Sequence, residues 1–404
     1  MSLAAQAHGC AASIIENAKS VSIDRDILGS FFAEIGYSVL RKAAMVRRLP
    51  LAFENKRMEI NWIVTNALLQ FGQEFQPSLL EHSGHTSIDA INYALVSSHI
   101  QGFSWTARAM SELELDEVAS MFQLPLTTYT KSELAPGITQ ETPSRSPLAP
   151  YIEELHRVIR ESGQALLRAG YADFAEVVLR HARPGRSDPP SAWSVVAALA
   201  EACPAFDDRA TYVQPASPSP SPSGAVATAT AATSAEADLC TPDSPAPSTH
   251  TPVQCLFHRK AQLGVAELYR RFRQEDPSLF EFADIGTLAA PAEPNTIAVL
   301  RGAGVIQVRT DTLREAIEGG HAIEAGSPEE IELRAACVVA VDRLADMCRE
   351  HPLPPPEVPV PETAVSTPGP APTPIELYWY LGLLSKTPRY QSIPRHLARN
   401  SLAY

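Results

Sequence analysis

Apolar positions along this chain recur with the period of a helix far more often than with that of a strand. From Tyr151, "YIEELHRVIRESGQALLRAG" sets Ile152, Leu155, Val158, Ile159 and Leu166 on one face, with charged residues between them, as an amphipathic helix requires. From Gly326, "GSPEEIELRAACVVAVDRLADM" adds a start signal. Ser327 suits the N-cap, Pro328 the first helical position and Glu330 the capping box. "RMEINWIVTNALLQFGQEF" from Arg57 and "SIDAINYALVSS" from Ser87 predict two further helices. Strict alternation is scarce; "AGVIQVRT" from Ala303 is the best strand, and it is short.

Three stretches break the pattern. Residues 213–253 are Pro, Ser, Ala and Thr in low-complexity order, with too few large apolar side chains to bury, and predict a disordered insertion. Residues 351–374 predict an extended proline-rich loop. "SELAPGITQETPSRSPLAP" from Ser132 reads as loop. The expected fold is therefore mainly α. One helical domain is divided into residues 1–212 and 254–404 by the insertion, with no internal repeat.

Composition narrows the function. A chain of 404 residues with 45% hydrophobic content can build a large core, and its formal net charge of −13 argues against a non-specific grip on nucleic acid. A single phosphorylated small molecule stays compatible with that charge. Six scattered cysteines, without a C-x-x-C pair, favour reduced thiols in the cytosol or nucleus over a disulfide frame or zinc site. No apolar run reaches the length of a membrane span, and the first residues lack the pattern of a signal peptide. Phosphate-loop, dinucleotide-binding, nucleophile-elbow and zinc-protease motifs are not found, so a cofactor-free mechanism or none is expected. His82 and His85 form a lone H-x-x-H without further ligands and read as loop.

One carboxylate is set apart. In "FADIGTLAAPAEPNTIAVLRGAGVI", residues 282–306, Glu293 stands between Pro291 and Pro294, just before an apolar helical run with Asn295 as a candidate N-cap. A carboxylate there is bracketed rigidly and lies near a positive helix end. A solvated loop charge is the competing reading.

The order of several segments resembles the queuosine salvage family. "AASIIENAKSVSID" is similar to the family's opening helix, "EINWIVTNALLQF" to its "VNW" helix, and "GHTSIDAINYALVSS" to its "GYWSLCAAxNRALDEG" stretch. "CLFHRKAQLGVAELY" resembles "FYKRAQ", "AIEAGSPEEIELRAACVVAVDRL" resembles "GSxxEVEIRAA", and "IPRHLARNSLAY" resembles the "PxHRxRxxYY" ending. The resemblance implies a helical fold related to helix-hairpin-helix DNA glycosylases. It also implies cleavage of the N-glycosidic bond of queuosine 5′-phosphate to release queuine, with no cofactor and no direct nucleic-acid partner.

Such chemistry needs a carboxylate beside the anomeric carbon. The family's aspartate, in "FADYRxPQ", falls on Glu293 when laid without gaps over residues 282–306. The resemblance implies Arg259 and Lys260 as contacts for the 5′-phosphate. The family's "LDxYLWD" falls on "IELYWYLGLL", with Tyr378 and Leu383 where its aspartates stand and Glu376 two residues away. Tyr378, Trp379 and Tyr380 are then candidates for stacking on a flat base. Its early histidine falls nearest Arg48. Glu332 and Arg334 match directly and predict a buried brace; His396 and Arg399 are candidate architectural residues. With the family aspartates replaced, two classes remain open: an N-glycosidase using Glu293, or a catalytically silent member that binds a nucleotide or a protein.

Overall fold

The computed structural model describes residues 2–45, 51–135, 138–183, 185, 188–213, 252–352 and 371–403. Among the described residues helices dominate, and the strands form four two-stranded sheets. Buried apolar residues from both sides of the 213–253 segment form one contiguous cluster, from Ala7 and Ile14 through Leu155 and Val196 to Leu344 and Tyr390.

The predicted helices form where their apolar faces require. The helix Ala149–Arg168 buries Ile152, Leu155, Val158, Ile159 and Leu166. In the helix Pro328–Glu350, Ser327 accepts from the Glu330 amide at 3.3 Å, while the Glu330 carboxylate reaches Gly326 N at 3.2 Å, one residue before the expected capping-box partner. The helix Lys56–Leu69 stops earlier than its pattern suggests. Gly72 adopts φ +96°, and a Cβ there would collide with the Tyr151 ring, so only glycine lets the chain turn at that point.

"AGVIQVRT" supplies the strand Ile306–Val308, paired antiparallel with Val21–Ile23. The expected loop after Ser132 is instead part of a hairpin: Thr127–Ala135 pairs antiparallel with Ile138–Arg145. Thr127, Thr128, Tyr129 and Thr130 favour extended backbone, and the hairpin's largely exposed faces leave no hydrophobic alternation to read. The expected disorder of 213–253 and the proline-rich loop of 351–374 fall almost wholly outside the described residues. The flanks of the first are described: Arg209–Tyr212 pairs antiparallel with Val253–Leu256. The expectation of reduced thiols is corrected for two cysteines. Cys10 and Cys255, 245 residues apart, form a disulfide joining the first helix to the strand Val253–Leu256. Cys203, Cys337 and Cys348 are free and buried. No helix among the described residues is long and apolar enough to cross a membrane.

Candidate active site

The loop of residues 282–293 is fixed at both ends before it delivers Glu293. At its start, the Asp284 carboxylate accepts from the Ala192 and Trp193 amides at 2.6 and 3.2 Å and from Ser191 Oγ at 2.7 Å, capping the helix Ala192–Ala202. Midway, Ala289 N donates to Gln262 Oε1 at 2.8 Å, and the buried Gln262 side chain donates to Phe257 O at 2.6 Å. Glu293 itself occupies the N-cap position of the helix Pro294–Gly302, without a side-chain cap bond. Asn295 is therefore not the cap; its Oδ1 accepts from Arg395 Nε at 3.2 Å.

Glu293 is 8% exposed. Its Oε2 accepts from Arg259 Nη2 at 2.9 Å, and the Tyr378 hydroxyl hydrogen-bonds to the same carboxylate. Burial and the Glu293 charge together hold the Tyr378 hydroxyl well above the usual phenol range, so it is a proton donor here. Arg259 is anchored independently, its Nη1 donating to Gln70 O at 3.0 Å and Ala403 O at 2.7 Å. A buried charge needs both a counter-charge and hydrogen bonds, and Glu293 has both.

Glu293 opens on a cavity of about 420 Å³. Trp62, Tyr378 and Trp379 supply aromatic wall, Asn66, Gln70 and Asn92 supply amides, and Glu267 is a second carboxylate. The amides are linked: Gln70 donates to Asn66 at 2.9 Å and Asn66 to Asn92 at 3.0 Å. Trp379 Nε1 donates to Glu267 Oε1 at 2.9 Å, and the Arg270 guanidinium lies 4.7 Å from the centre of the Trp379 ring. Aromatic faces, paired amides and a fixed carboxylate suit a flat heterocycle joined to a polar sugar.

The sequence candidates are distributed as follows. Glu293, Tyr378, Trp379 and Leu383 line the cavity. Arg259 sits behind Glu293 as its ion-pair partner. Lys260 points elsewhere: its Nζ is buried without a hydrogen bond, 5.4 Å from the Phe71 ring centre, and burial pushes its pKa down to about 7. Glu376 closes a capping box with Thr373, accepting from Thr373 N at 2.9 Å. Tyr380 is turned toward Gly36, whose amide donates to its hydroxyl at 3.4 Å.

Glu332 is a buried brace, accepting from Ser20 N at 2.7 Å, Lys19 N at 3.2 Å and Tyr212 Oη at 2.9 Å. Arg334 pairs with Asp208 and lies over Phe257; that guanidinium keeps the Asp208 carboxyl below its usual range although burial opposes the charge. His396 is buried, and burial with the nearby Arg301 and Arg334 charges lowers its pKa to about 3. Arg399 pairs with Glu324 at 2.6 Å. Arg48 lies outside the described residues.

A profile described as queuosine salvage protein matches residues 247–395, the part of the chain that carries Arg259, Glu293 and Tyr378. Over those residues the chain is similar to the queuosine salvage family. A curated relative, the queuosine 5′-phosphate N-glycosylase/hydrolase of Sphaerobacter thermophilus, is 27% identical over 195 residues, 48% of this chain and 46% of that protein. The chain thus spans about half the length of the curated relative it matches.

Relative to other site residues, sequence reasoning missed Glu267 and Arg270. Both follow from Arg259 at helical spacing, through Leu263, along the helix Arg259–Phe272. Trp62 and Asn66 lie within the "EINWIVTNALL" helix but carried no separate signal.

Proposed function

We propose that this cavity hydrolyses the N-glycosidic bond of queuosine 5′-phosphate and releases queuine. The observation that supports the reading is Glu293, a carboxylate clamped by Arg259 and Tyr378 at the wall of an aromatic-lined cavity. The base stacks against Trp62 or Trp379, which sets the ribose beside Glu293. As the C1′–N bond breaks, its electron pair leaves with the base, and the positive charge growing on the sugar faces the Glu293 carboxylate. Water then bonds to C1′; one of its protons goes to the base nitrogen and the hydroxyl stays on the ribose. Because Oε2 is committed to Arg259, Glu293 acts by its fixed charge.

Incubation of the protein with queuosine 5′-phosphate should yield free queuine, and Glu293→Gln should lower the rate by roughly a hundredfold or more, the scale of losing one preorganised electrostatic group. Undiminished release in the variant would remove Glu293 from the mechanism. A second reading, binding without turnover, is favoured by the Arg259 pairing, which neutralises much of the charge that catalysis would use. Tight binding of the nucleotide with no queuine released would support that reading instead.

A further inference from the structure

Cations converge on this cavity even though the whole chain has a formal net charge of −13. Lys42 comes from the helix Tyr37–Ala44, Arg270 from the helix Arg259–Phe272, and Lys386 from the turn after the helix Pro374–Leu384. Lys42 and Lys386 are exposed, so they stand at the opening, whereas Glu293 is buried at the wall. Among the described residues neither lysine meets a carboxylate; surface lysines elsewhere, such as Lys56 with Asp276 and Lys131 with Glu141, do.

Arg270 is held in place without a ligand. Its Nε donates to Met45 O at 2.9 Å, its Nη1 lies 3.4 Å from Glu267, and its plane covers Trp379. Arg271 also lines the cavity, but Glu59 and Glu275 balance its charge. Arg259 and Lys260, the basic pair that the sequence offered, are both buried and neither reaches the cavity surface.

We propose that Lys42, Arg270 and Lys386 form the anion subsite of this cavity and select a phosphate monoester, the dianion being what two exposed ammonium groups and one fixed guanidinium match. This assignment rests on the nucleotide-cleaving reading above, and it gives the phosphate to residues other than Arg259 and Lys260. The ligand then spans the cavity, its phosphate at the opening and its glycosidic carbon near Glu293.

The test is equilibrium binding, which needs no turnover. Queuosine 5′-phosphate and unphosphorylated queuosine are titrated into the full-length Glu293→Gln protein, with and without Lys42→Ala plus Lys386→Ala. The phosphate form should bind more tightly to the parent. The two lysine changes should weaken it by roughly tenfold or more at low salt, leave queuosine within about twofold, and flatten the salt dependence. An Arg270→Gln variant should weaken the phosphate form more than the nucleoside.

Equal loss for both ligands, an unchanged phosphate affinity, or no binding of either ligand would overturn the subsite. If the wild type releases no queuine yet the binding difference holds, the subsite stands and the hydrolase reading falls. If queuine is released while the lysine variants bind phosphate normally, the reverse is true.

Discussion

The Arg259–Glu293 pair can be weighed quantitatively. Their side chains are 4% and 11% exposed, so water screens the pair little. Arg259→Met keeps most of the volume but leaves the Glu293 carboxylate with Tyr378 alone, and strips donors from Gln70 O and Ala403 O. Breaking a buried ion pair from one side costs about 3–5 kcal/mol. Glu293→Gln is milder, because an amide oxygen still accepts from Arg259; about 1–3 kcal/mol is expected. In the double variant neither charge is stranded, so its loss should fall short of the sum by roughly 2 kcal/mol. Urea unfolding followed by tryptophan fluorescence measures all four corners of this cycle. If the two losses add to within about 0.5 kcal/mol, the two groups do not sense each other, and the clamp on Glu293 is wrong.

Three further perturbations follow from buried charge and covalent linkage. Lys260 has a folded pKa of about 7 against an ordinary 10.5, so between those values the unfolded chain holds a proton that the folded chain lacks, and stability rises with pH across that window. Lys260→Met should therefore be more stable than wild type by about 1–4 kcal/mol near pH 7, with the gap closing toward pH 10.5; a variant no more stable at pH 7 contradicts this.

His8 faces two acceptors, Asp342 Oδ2 at 2.6 Å and Thr287 O at 2.9 Å; burial opposes its charge, but the Asp342 bond and charge outweigh it and raise its pKa. The stabilisation is complete below the unfolded value and is lost as pH rises through the folded one, so the Tm advantage over His8→Phe should shrink with rising pH. A constant gap would exclude the imidazolium. Reduction of the Cys10–Cys255 disulfide, spanning 245 residues, should cost up to about 5 kcal/mol, and Cys10→Ser should be insensitive to reductant; a wild-type Tm unchanged by reductant would contradict the stabilising link.

What the sequence disclosed depended on how local the cause was. The start at Ser327 is set by residues within one turn, and the helix begins there. The two prolines around Glu293 announced a constrained carboxylate, and the loop is constrained. The function of Arg259 was not legible in the same way: its partners Gln70, Glu293 and Ala403 are far apart in the chain and meet only through packing. Lys42 and Lys386 belong to no pattern, since an exposed lysine looks alike whether it borders a cavity or open solvent. The Thr127–Arg145 hairpin was hidden for the opposite reason: with few side chains to bury, it shows no alternation.

The antiparallel pair that ties Arg209–Tyr212 to Val253–Leu256 has a practical consequence. Tyr212 lies opposite Val253, so the two described ends on either side of the insertion are neighbours. Each strand is secured on its own side, Tyr212 by its bond to Glu332 and Cys255 by its link to Cys10. For a flexible segment joined at these two ends, length adds to the closure entropy only as its logarithm. This makes the junction a natural splice point, where a reporter domain with neighbouring termini can be grafted while the cavity around Glu293 keeps its shape.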